Sequence, residues 1–234
     1  MFNIIKSIVW YILFTIDIIF FIIRFGFFEN TKNIHISLKK VATRNIKRAS
    51  IKTEVIGKEN LSNEPFLFVA NHQSYFDVML LMAFIPHKKG FVAKIEFLKI
   101  PFVKKLTDKL NFIFLDRGNL RQNNFAILKG IDILKNGHSL VVFPEGTWRW
   151  EDHGTMLPFK RGSFKLATKS GASIIPVSII NAHKIAPMGS PILRPTKVTI
   201  IIHKKIETKN LTHEENIKLP YKIHEIINIR ETPI

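Results

Sequence analysis

The sequence predicts an α/β fold with a mixed, mostly parallel central sheet that is flanked by helices. Short segments rich in apolar and β-branched residues, typical of buried strands, alternate with segments of helical periodicity. This alternation of strands and helices is the pattern of an α/β sheet. The predicted strands are 66–70, 112–115, 139–143, 174–180 and 198–202, and the predicted helices between them are 76–84, 125–134 and 164–169.

Two helix ends carry recognisable signals. Gly171 follows the third predicted helix and is expected as its C-cap, because glycine adopts the left-handed conformation at little cost. A last helix is predicted over 213–229, where Thr212 and Glu215 have the spacing of a capping box. No internal repeat and no long Gly/Ser linker divides residues 51–234, so we predict a single domain there.

An apolar run near the N-terminus predicts a membrane-anchoring helix. Residues 7–23 hold one charge, Asp17, and are flanked by Lys6 and Arg24. Such a helix is about 26 Å long, the lower limit for crossing a hydrocarbon core of about 30 Å. A carboxylate at mid-depth would cost about 2.5–3.5 kcal/mol, which favours a shallow or re-entrant anchor over a spanning helix. The alternative is a buried core helix.

The chain carries an excess of positive charge, with 35 Lys and Arg against 18 Asp and Glu and a net charge of +17. This excess indicates an anionic partner, and we expect anionic membrane lipid and no nucleic acid, because no nucleic-acid-binding motif is present. Basic residues crowd the stretch after the apolar run up to Arg48, whereas only Lys6 precedes it, which predicts a cytoplasmic location for the rest. The absence of Cys excludes disulfides and Cys-ligated metal sites.

A histidine and a carboxylate follow the first predicted strand. His72 precedes the predicted helix 76–84, Ser74 is its predicted N-cap, and Asp77 lies in its first turn. With the histidine in the entering turn, the two side chains can meet, and an imidazole held by a carboxylate is equipped as a general base toward an alcohol. The same spacing also fits a capped helix beside an uninvolved loop histidine. Spacing alone does not decide between the two.

Four motifs follow one another in the order known for one family. They are Asn-His-Gln-Ser through Asp77, FIFLDRGN at 112–119, FPEGT at 143–147 and IIPVSI at 174–179. In type, spacing and order the set resembles the glycerolipid acyltransferases, and most closely the members that acylate 1-acylglycerol-3-phosphate. The resemblance covers roughly residues 51–207. It implies a glycerol-3-phosphate acyltransferase-like fold, with a catalytic domain at 51–234 behind a membrane-anchoring segment at 1–50.

The resemblance also implies roles for individual residues. His72 and Asp77 match the catalytic base and its orienting partner in the His-x4-Asp motif of the family. Arg117 holds the place of the arginine that binds the acceptor phosphate. Glu145 and Gly146 match the Glu-Gly pair that helps to bind the acceptor.

The chain departs from the family pattern after FPEGT. The family usually has Arg directly after this motif, where this chain has Trp148. Arg149, one place later, or Lys160 with Arg161 is expected to supply the missing cation. In IIPVSI, Pro176 by itself predicts an ordinary edge strand, and the family places this segment at the acyl or acceptor pocket.

The function that the resemblance implies is transfer of a fatty acyl group to the sn-2 hydroxyl of lysophosphatidic acid, giving phosphatidic acid. The donor is expected to be acyl-CoA or an acyl carrier protein, with no cofactor and no metal. The expected location is a bacterial inner membrane, with the catalytic domain on the cytoplasmic face. The alternatives are acylation of another acceptor, such as glycerol-3-phosphate or another lysolipid, and a basic membrane-binding protein without catalysis.

Overall fold

The computed structural model describes residues 2–28, 33–100, 103–116, 118–147, 156–187 and 189–229. Within these ranges, strands and helices form an α/β domain, which confirms the predicted class. The strands are β1 (Ile51–Ile56), β2 (Phe66–Ala70), β3 (Lys89–Lys94), β4 (Ile113–Leu115), β5 (Ser139–Val142), β6 (Ser173–Ile180) and β7 (Thr196–Ile202). The α-helices are α1 (Phe2–Ile23), α2 (Ile34–Arg48), α3 (Phe76–Phe84), α4 (Val103–Lys109), α5 (Leu120–Lys135), α6 (Lys165–Ser170) and α7 (His213–Ile227).

The described strands form one sheet in the order β1-β7-β6-β2-β5-β3-β4. Every neighbouring pair is parallel except β6 and β7, which are antiparallel. The sheet is therefore mixed and mostly parallel, as predicted. Because parallel strands share one carboxyl edge, the loops that follow β2 and β5 meet beside each other, and this edge carries the candidate site.

Helices cover both faces of the sheet. All residues of β2 are buried, and their side chains alternate between the two faces. Phe66 and Phe68 belong to the hydrophobic cluster that includes parts of α2 and α3. Leu67 and Val69 belong to the opposite cluster, which includes parts of α5, α6 and α7. This double burial makes β2 a rigid base for the loop that follows it.

Most of these strands and helices were predicted from the sequence, and four were not. The predicted bounds of β2 and α3 are confirmed, as are the left-handed cap at Gly171 (φ 77°) and the Thr212–Glu215 capping box. The prediction for α5 began five residues too late, because Asn119 caps this helix by accepting a hydrogen bond from the Gln122 N–H. The elements that were not predicted are β1, β3, α2 and α4.

The edge-strand interpretation of Pro176 is wrong. β6 lies inside the sheet between β2 and β7, and all of its residues are buried. The antiparallel ladder with β7 begins at Val177, one residue after the proline, so no ladder hydrogen bond requires the missing N–H. The Pro176 carbonyl still accepts a hydrogen bond from the His203 N–H at 3.0 Å.

The N-terminal helices form a pair joined by ion pairs. Asp17 on α1 binds Arg44 at 2.6 Å and Arg48 at 2.8 Å, both on α2, and its Oδ2 accepts a hydrogen bond from Asn45 at 2.7 Å. The carboxylate that the sequence placed in lipid is thus neutralised within the protein. The apolar stretch Asn3–Phe28 is long and apolar enough to cross a membrane, with a mean hydropathy of 2.2.

Candidate functional site

The structure brings His72 and Asp77 into contact at the carboxyl edge of the sheet. His72 Nδ1 lies 2.8 Å from Asp77 Oδ2, and the carboxylate is fully buried. The same oxygen accepts hydrogen bonds from the backbone N–H groups of Gln73 at 2.6 Å and Ser74 at 2.7 Å. An oxygen that already accepts two N–H bonds acts as an acceptor toward the ring as well, which assigns the proton to Nδ1 and the lone pair to Nε2.

The first turn of α3 differs in one detail from the prediction. Ser74 was predicted as the N-cap, but the helix begins at Phe76 and Tyr75 occupies the cap position, with no side-chain cap bond. The Ser74 hydroxyl accepts a hydrogen bond from the Phe76 N–H at 3.3 Å. Asp77 takes over the capping, because its carboxylate reaches back to the N–H groups that enter the helix.

Two polar neighbours of His72 attach its loop to β6 and to the turn that follows β6. The buried Asn71 side chain accepts a hydrogen bond from the Ile179 N–H at 2.7 Å and donates one to the Ile179 carbonyl at 2.9 Å. Gln73 Oε1 accepts a hydrogen bond from the Ala182 N–H at 3.1 Å. Neither residue has a role predicted from the sequence, although both belong to the first motif. Together they fix the loop that carries the histidine.

Glu145 links three segments of the site through its backbone contacts. It is 4% exposed, Oε1 accepts a hydrogen bond from the His72 N–H at 2.7 Å, and Oε2 accepts one from the Leu157 N–H at 2.8 Å. Burial raises the pKa of this carboxyl group to about 7, against the opposing effect of the two N–H donors. Both oxygens are engaged by the protein, so the geometry favours a positioning role over direct contact with the acceptor.

The turn after β5 also supports the histidine ring. Phe143 stacks on His72 with ring centroids 4.2 Å apart and an angle of 17° between the planes. Gly146 adopts φ 72°, a conformation that glycine tolerates, and its N–H donates to the Phe143 carbonyl at 2.9 Å. Phe143 has no role predicted from the sequence, and its place beside Pro-Glu-Gly is the signal that could have indicated one.

Of the predicted phosphate-binding cations, the structure describes only Lys160 and Arg161. Lys160 is exposed, and its backbone N–H donates to the Pro144 carbonyl at 3.0 Å, which places it beside the turn that carries Glu145. Arg117 and Arg149 lie outside the described residues. Their roles stay predictions.

An apolar cavity of about 380 Å³ opens beside the loop of the histidine. Its wall includes Gln73, Ser74 and Tyr75, the residues between His72 and Asp77 in the first motif. The rest of the lining includes residues of α1, of α3 and of the segment after β6: Trp10, Tyr11, Phe14, Phe76, Met79, Ala186 and Pro187. The cavity therefore offers an apolar chain a place next to the histidine.

This arrangement suits proton transfer to and from an alcohol. A ring nitrogen with a lone pair, a buried carboxylate on the other nitrogen and an adjacent apolar cavity are the parts of a general-base site. Within the described ranges, no group of three or more His, Cys, Asp or Glu residues could hold a metal ion.

Comparison with known proteins identifies the relatives of this chain. The sequence profile of the Acyltransferase family matches residues 52–180. A 1-acyl-sn-glycerol-3-phosphate acyltransferase from Saccharomyces cerevisiae is 33% identical over 163 residues, which are 69% of this chain and 54% of the yeast protein. The enzyme of the same name from Borreliella burgdorferi is 30% identical, over 73% of this chain and 68% of its own length. The chain thus spans about half the length of the yeast relative.

One solved structure is similar over nearly the whole chain. The crystal structure of the 1-acyl-sn-glycerophosphate (LPA) acyltransferase PlsC from Thermotoga maritima superimposes with a TM-score of 0.82 at 31% sequence identity. The match covers 97% of this chain and 93% of the Thermotoga protein.

Proposed function

Because this chain belongs to the acyltransferase family, we propose that it transfers a fatty acyl group from a thioester to the sn-2 hydroxyl of 1-acylglycerol-3-phosphate, giving phosphatidic acid. The observation that carries the proposal is the contact of 2.8 Å between His72 Nδ1 and the buried Asp77 carboxylate. The names of the yeast, Borreliella and Thermotoga relatives support this choice of acceptor.

In the proposed reaction, His72 acts as the general base. Its Nε2 takes the proton of the sn-2 hydroxyl while that oxygen attacks the carbonyl carbon of the thioester. Asp77 stabilises the imidazolium that forms, and the ring stack with Phe143 holds the imidazole in place. The tetrahedral intermediate then collapses, the C–S bond breaks, and the leaving thiolate takes the proton back from the imidazolium. The products are an ester and a free thiol.

The substrates are assigned to the two sides of the histidine. The apolar cavity beside Tyr75 takes the acyl chain, because its lining is apolar and it opens at the catalytic loop. Arg117, with Arg149 or Lys160, binds the acceptor phosphate, since a guanidinium can hold two phosphate oxygens at once. Neither a cofactor nor a metal has a role in this proposal.

Membrane association is proposed from the exposed face of α1. Ile8, Ile12, Ile16 and Phe20 are between 53% and 62% exposed, which is a continuous apolar stripe without a protein partner among the described residues. The opposite face packs on the domain, where the Trp10 indole N–H donates to the Asn45 carbonyl at 2.8 Å. A helix that is bound along one side by its own domain favours a shallow position in one leaflet over a perpendicular span. Anionic lipid headgroups suit the net charge of +17.

The function is tested with the purified protein in detergent, lysophosphatidic acid as acceptor, and acyl-CoA or acyl carrier protein as donor. His72→Ala should lose at least about 10²-fold in rate, the typical lower contribution of a general base. His213→Ala, which removes an exposed histidine at the start of α7, should retain activity and serves as the matched control. Circular dichroism checks that both variants are folded.

Two results would contradict the proposal. An active His72→Ala variant would remove the general base from the mechanism. A wild-type protein that acylates glycerol-3-phosphate or another lysolipid in preference to lysophosphatidic acid would keep the chemistry and change the acceptor.

A further inference from the structure

A basic groove lies beside the apolar cavity, on the side of β6. It has a volume of about 600 Å³, and its walls include Lys184, Arg194 and Lys197. We call it the basic groove. The first of these cations lies in the turn after β6 and the last in β7, whose first residues lie at the same edge of the sheet as the end of β6. The basic groove therefore opens at the edge that carries the histidine.

The basic groove and the apolar cavity share part of their walls. His183 and Pro187 line both of them, and the cavity wall continues to Gln73 in the catalytic loop. Gln73 Oε1 accepts hydrogen bonds from the Ala182 N–H at 3.1 Å and from His183 Nδ1 at 3.4 Å. The position of the groove relative to the catalytic histidine is thus fixed by direct contacts.

The charge of the groove is only partly balanced by carboxylates within the described residues. Lys184 and Arg194 are exposed, and no carboxylate in the described part of the chain pairs with either of them. Lys197 is 2.9 Å from Glu54, at an exposed position where such a pair contributes little. The Arg194 backbone is held by its N–H bond to the Ile185 carbonyl at 2.8 Å. Cations gathered in a concave surface beside an apolar cavity form a site for a ligand with both anionic and apolar parts.

The strand order separates this groove from the proposed acceptor site. β4 precedes Arg117 in the sequence, and the turn after β5 contacts Lys160 through the Pro144 carbonyl. Both strands lie on one side of β2 in the sheet order. The basic groove follows β6, on the other side of β2. A transferase must hold its two substrates so that both reach the same base. Because the acceptor is assigned to the side of β5, the groove on the side of β6 is assigned to the donor.

We infer that the basic groove binds the phosphate groups of an acyl-CoA donor while its acyl chain occupies the apolar cavity, an inference that rests on the proposed acyl transfer. The thioester would then lie between the two, next to the catalytic loop. A volume of about 600 Å³ falls in the range of small-molecule sites, about 300–1,000 Å³. A carrier protein would instead need a broad interface of about 800 Å² on each partner, and a concave groove suits the nucleotide better.

The test reverses two charges and measures each substrate separately. The variant is Lys184→Glu/Arg194→Glu, and the matched control is Lys135→Glu/Lys204→Glu, two exposed lysines toward the opposite edge of the sheet. KM and kcat are measured with palmitoyl-CoA, with its analogue that lacks the 3′-phosphate, and with palmitoyl-acyl carrier protein. Lysophosphatidic acid is titrated in parallel. Calorimetry with free coenzyme A gives a readout that needs no turnover.

The groove variant should raise the KM for palmitoyl-CoA about tenfold, equivalent to about 1.4 kcal/mol, with kcat and the KM for lysophosphatidic acid retained. Wild-type protein should discriminate against the analogue without the 3′-phosphate, and the variant should not. The control should behave as wild type in every assay, and coenzyme A binding should weaken only in the groove variant.

Other outcomes would overturn the inference. An unchanged KM for palmitoyl-CoA refutes the groove while leaving the acyl transfer intact. A raised KM for lysophosphatidic acid alone would reassign the groove to the acceptor, and a loss confined to palmitoyl-acyl carrier protein would reassign it to a protein carrier. Wild-type protein that is inactive with every donor contradicts the proposed function instead, and coenzyme A binding then decides on the groove by itself.

Discussion

Replacing Asp77 by asparagine should abolish most of the activity and leave the fold nearly intact. One carboxylate oxygen, Oδ2, accepts the His72 Nδ1 bond and the N–H bonds of Gln73 and Ser74. An amide oxygen in the same place keeps an acceptor for the two backbone donors. What the amide cannot supply is the negative charge that stabilises the imidazolium and holds the proton on Nδ1.

The expected magnitudes follow from these contacts. The rate should fall about 10²–10⁴-fold, the usual contribution of general-base catalysis. The free energy of unfolding should fall by only about 1 kcal/mol, the difference between hydrogen bonds to a charged and to a neutral acceptor. Asp77→Ala removes the acceptor of two backbone N–H groups, those of Gln73 and Ser74. At about 1–3 kcal/mol for each group left without a partner, the free energy of unfolding should fall by about 2–6 kcal/mol.

The assay combines steady-state kinetics with thermal unfolding in the same detergent. For a chain of this size, each kcal/mol lowers Tm by about 2–4 °C, so the alanine variant should melt clearly below the asparagine variant. Both should be equally inactive. Activity of Asp77→Asn within tenfold of wild type would refute the role of the carboxylate, and equal Tm losses in the two variants would refute the account of the backbone bonds.

Two further predictions concern the carboxylates of Glu145 and Asp17. Burial raises the pKa of Glu145 to about 7 from an ordinary value of 4.5. Between these two pH values the native protein holds a proton that the unfolded chain releases. The free energy of unfolding should therefore fall by up to about 3 kcal/mol as pH rises from 4.5 to 7. Denaturant titrations across this range should show that slope in wild type and not in Glu145→Gln. Asp17→Ala should lower the free energy of unfolding by about 2 kcal/mol and should loosen α1 from α2. The loosening should be measurable as faster hydrogen exchange in both helices. Arg44→Ala should lower stability less, because Arg48 still binds the Asp17 carboxylate.

Local signals in the sequence were sufficient for the central elements, and the resemblance of one motif to a known family singled out His72 and Asp77. The run FLFVA is buried on both faces, so its apolar character alone identifies β2, and the polar residues after it mark the start of α3. His72 and Asp77 are five residues apart, and the contact between them depends on one turn. The capping box of α7 is local in the same way.

Two strands were not predicted from the sequence because their patterns of apolar and polar residues are mixed. β1 reads IKTEVI, with exposed charges at Lys52 and Glu54, since it pairs with only one neighbour at the edge of the sheet. β3 begins at a buried lysine, Lys89, whose amino group donates to the Ile85 carbonyl at 2.6 Å. From the sequence, a lysine at that position predicts an exposed residue. Its burial is understandable only once the carbonyl that accepts its hydrogen bond is known.

The sequence by itself determined the fold class, because hydrophobic periodicity is recorded in neighbouring residues. It also singled out the candidate base and its carboxylate, because their motif resembles that of one family. Only the tertiary structure decided that Asp17 is paired with α2, that both Glu145 oxygens are held by backbone, and that β6 is an inner strand. It also placed α1 against the segment after β6, where the Ser7 hydroxyl accepts a hydrogen bond from the Leu193 N–H. These contacts join residues up to 186 positions apart, and no local pattern records which distant partner a side chain will meet.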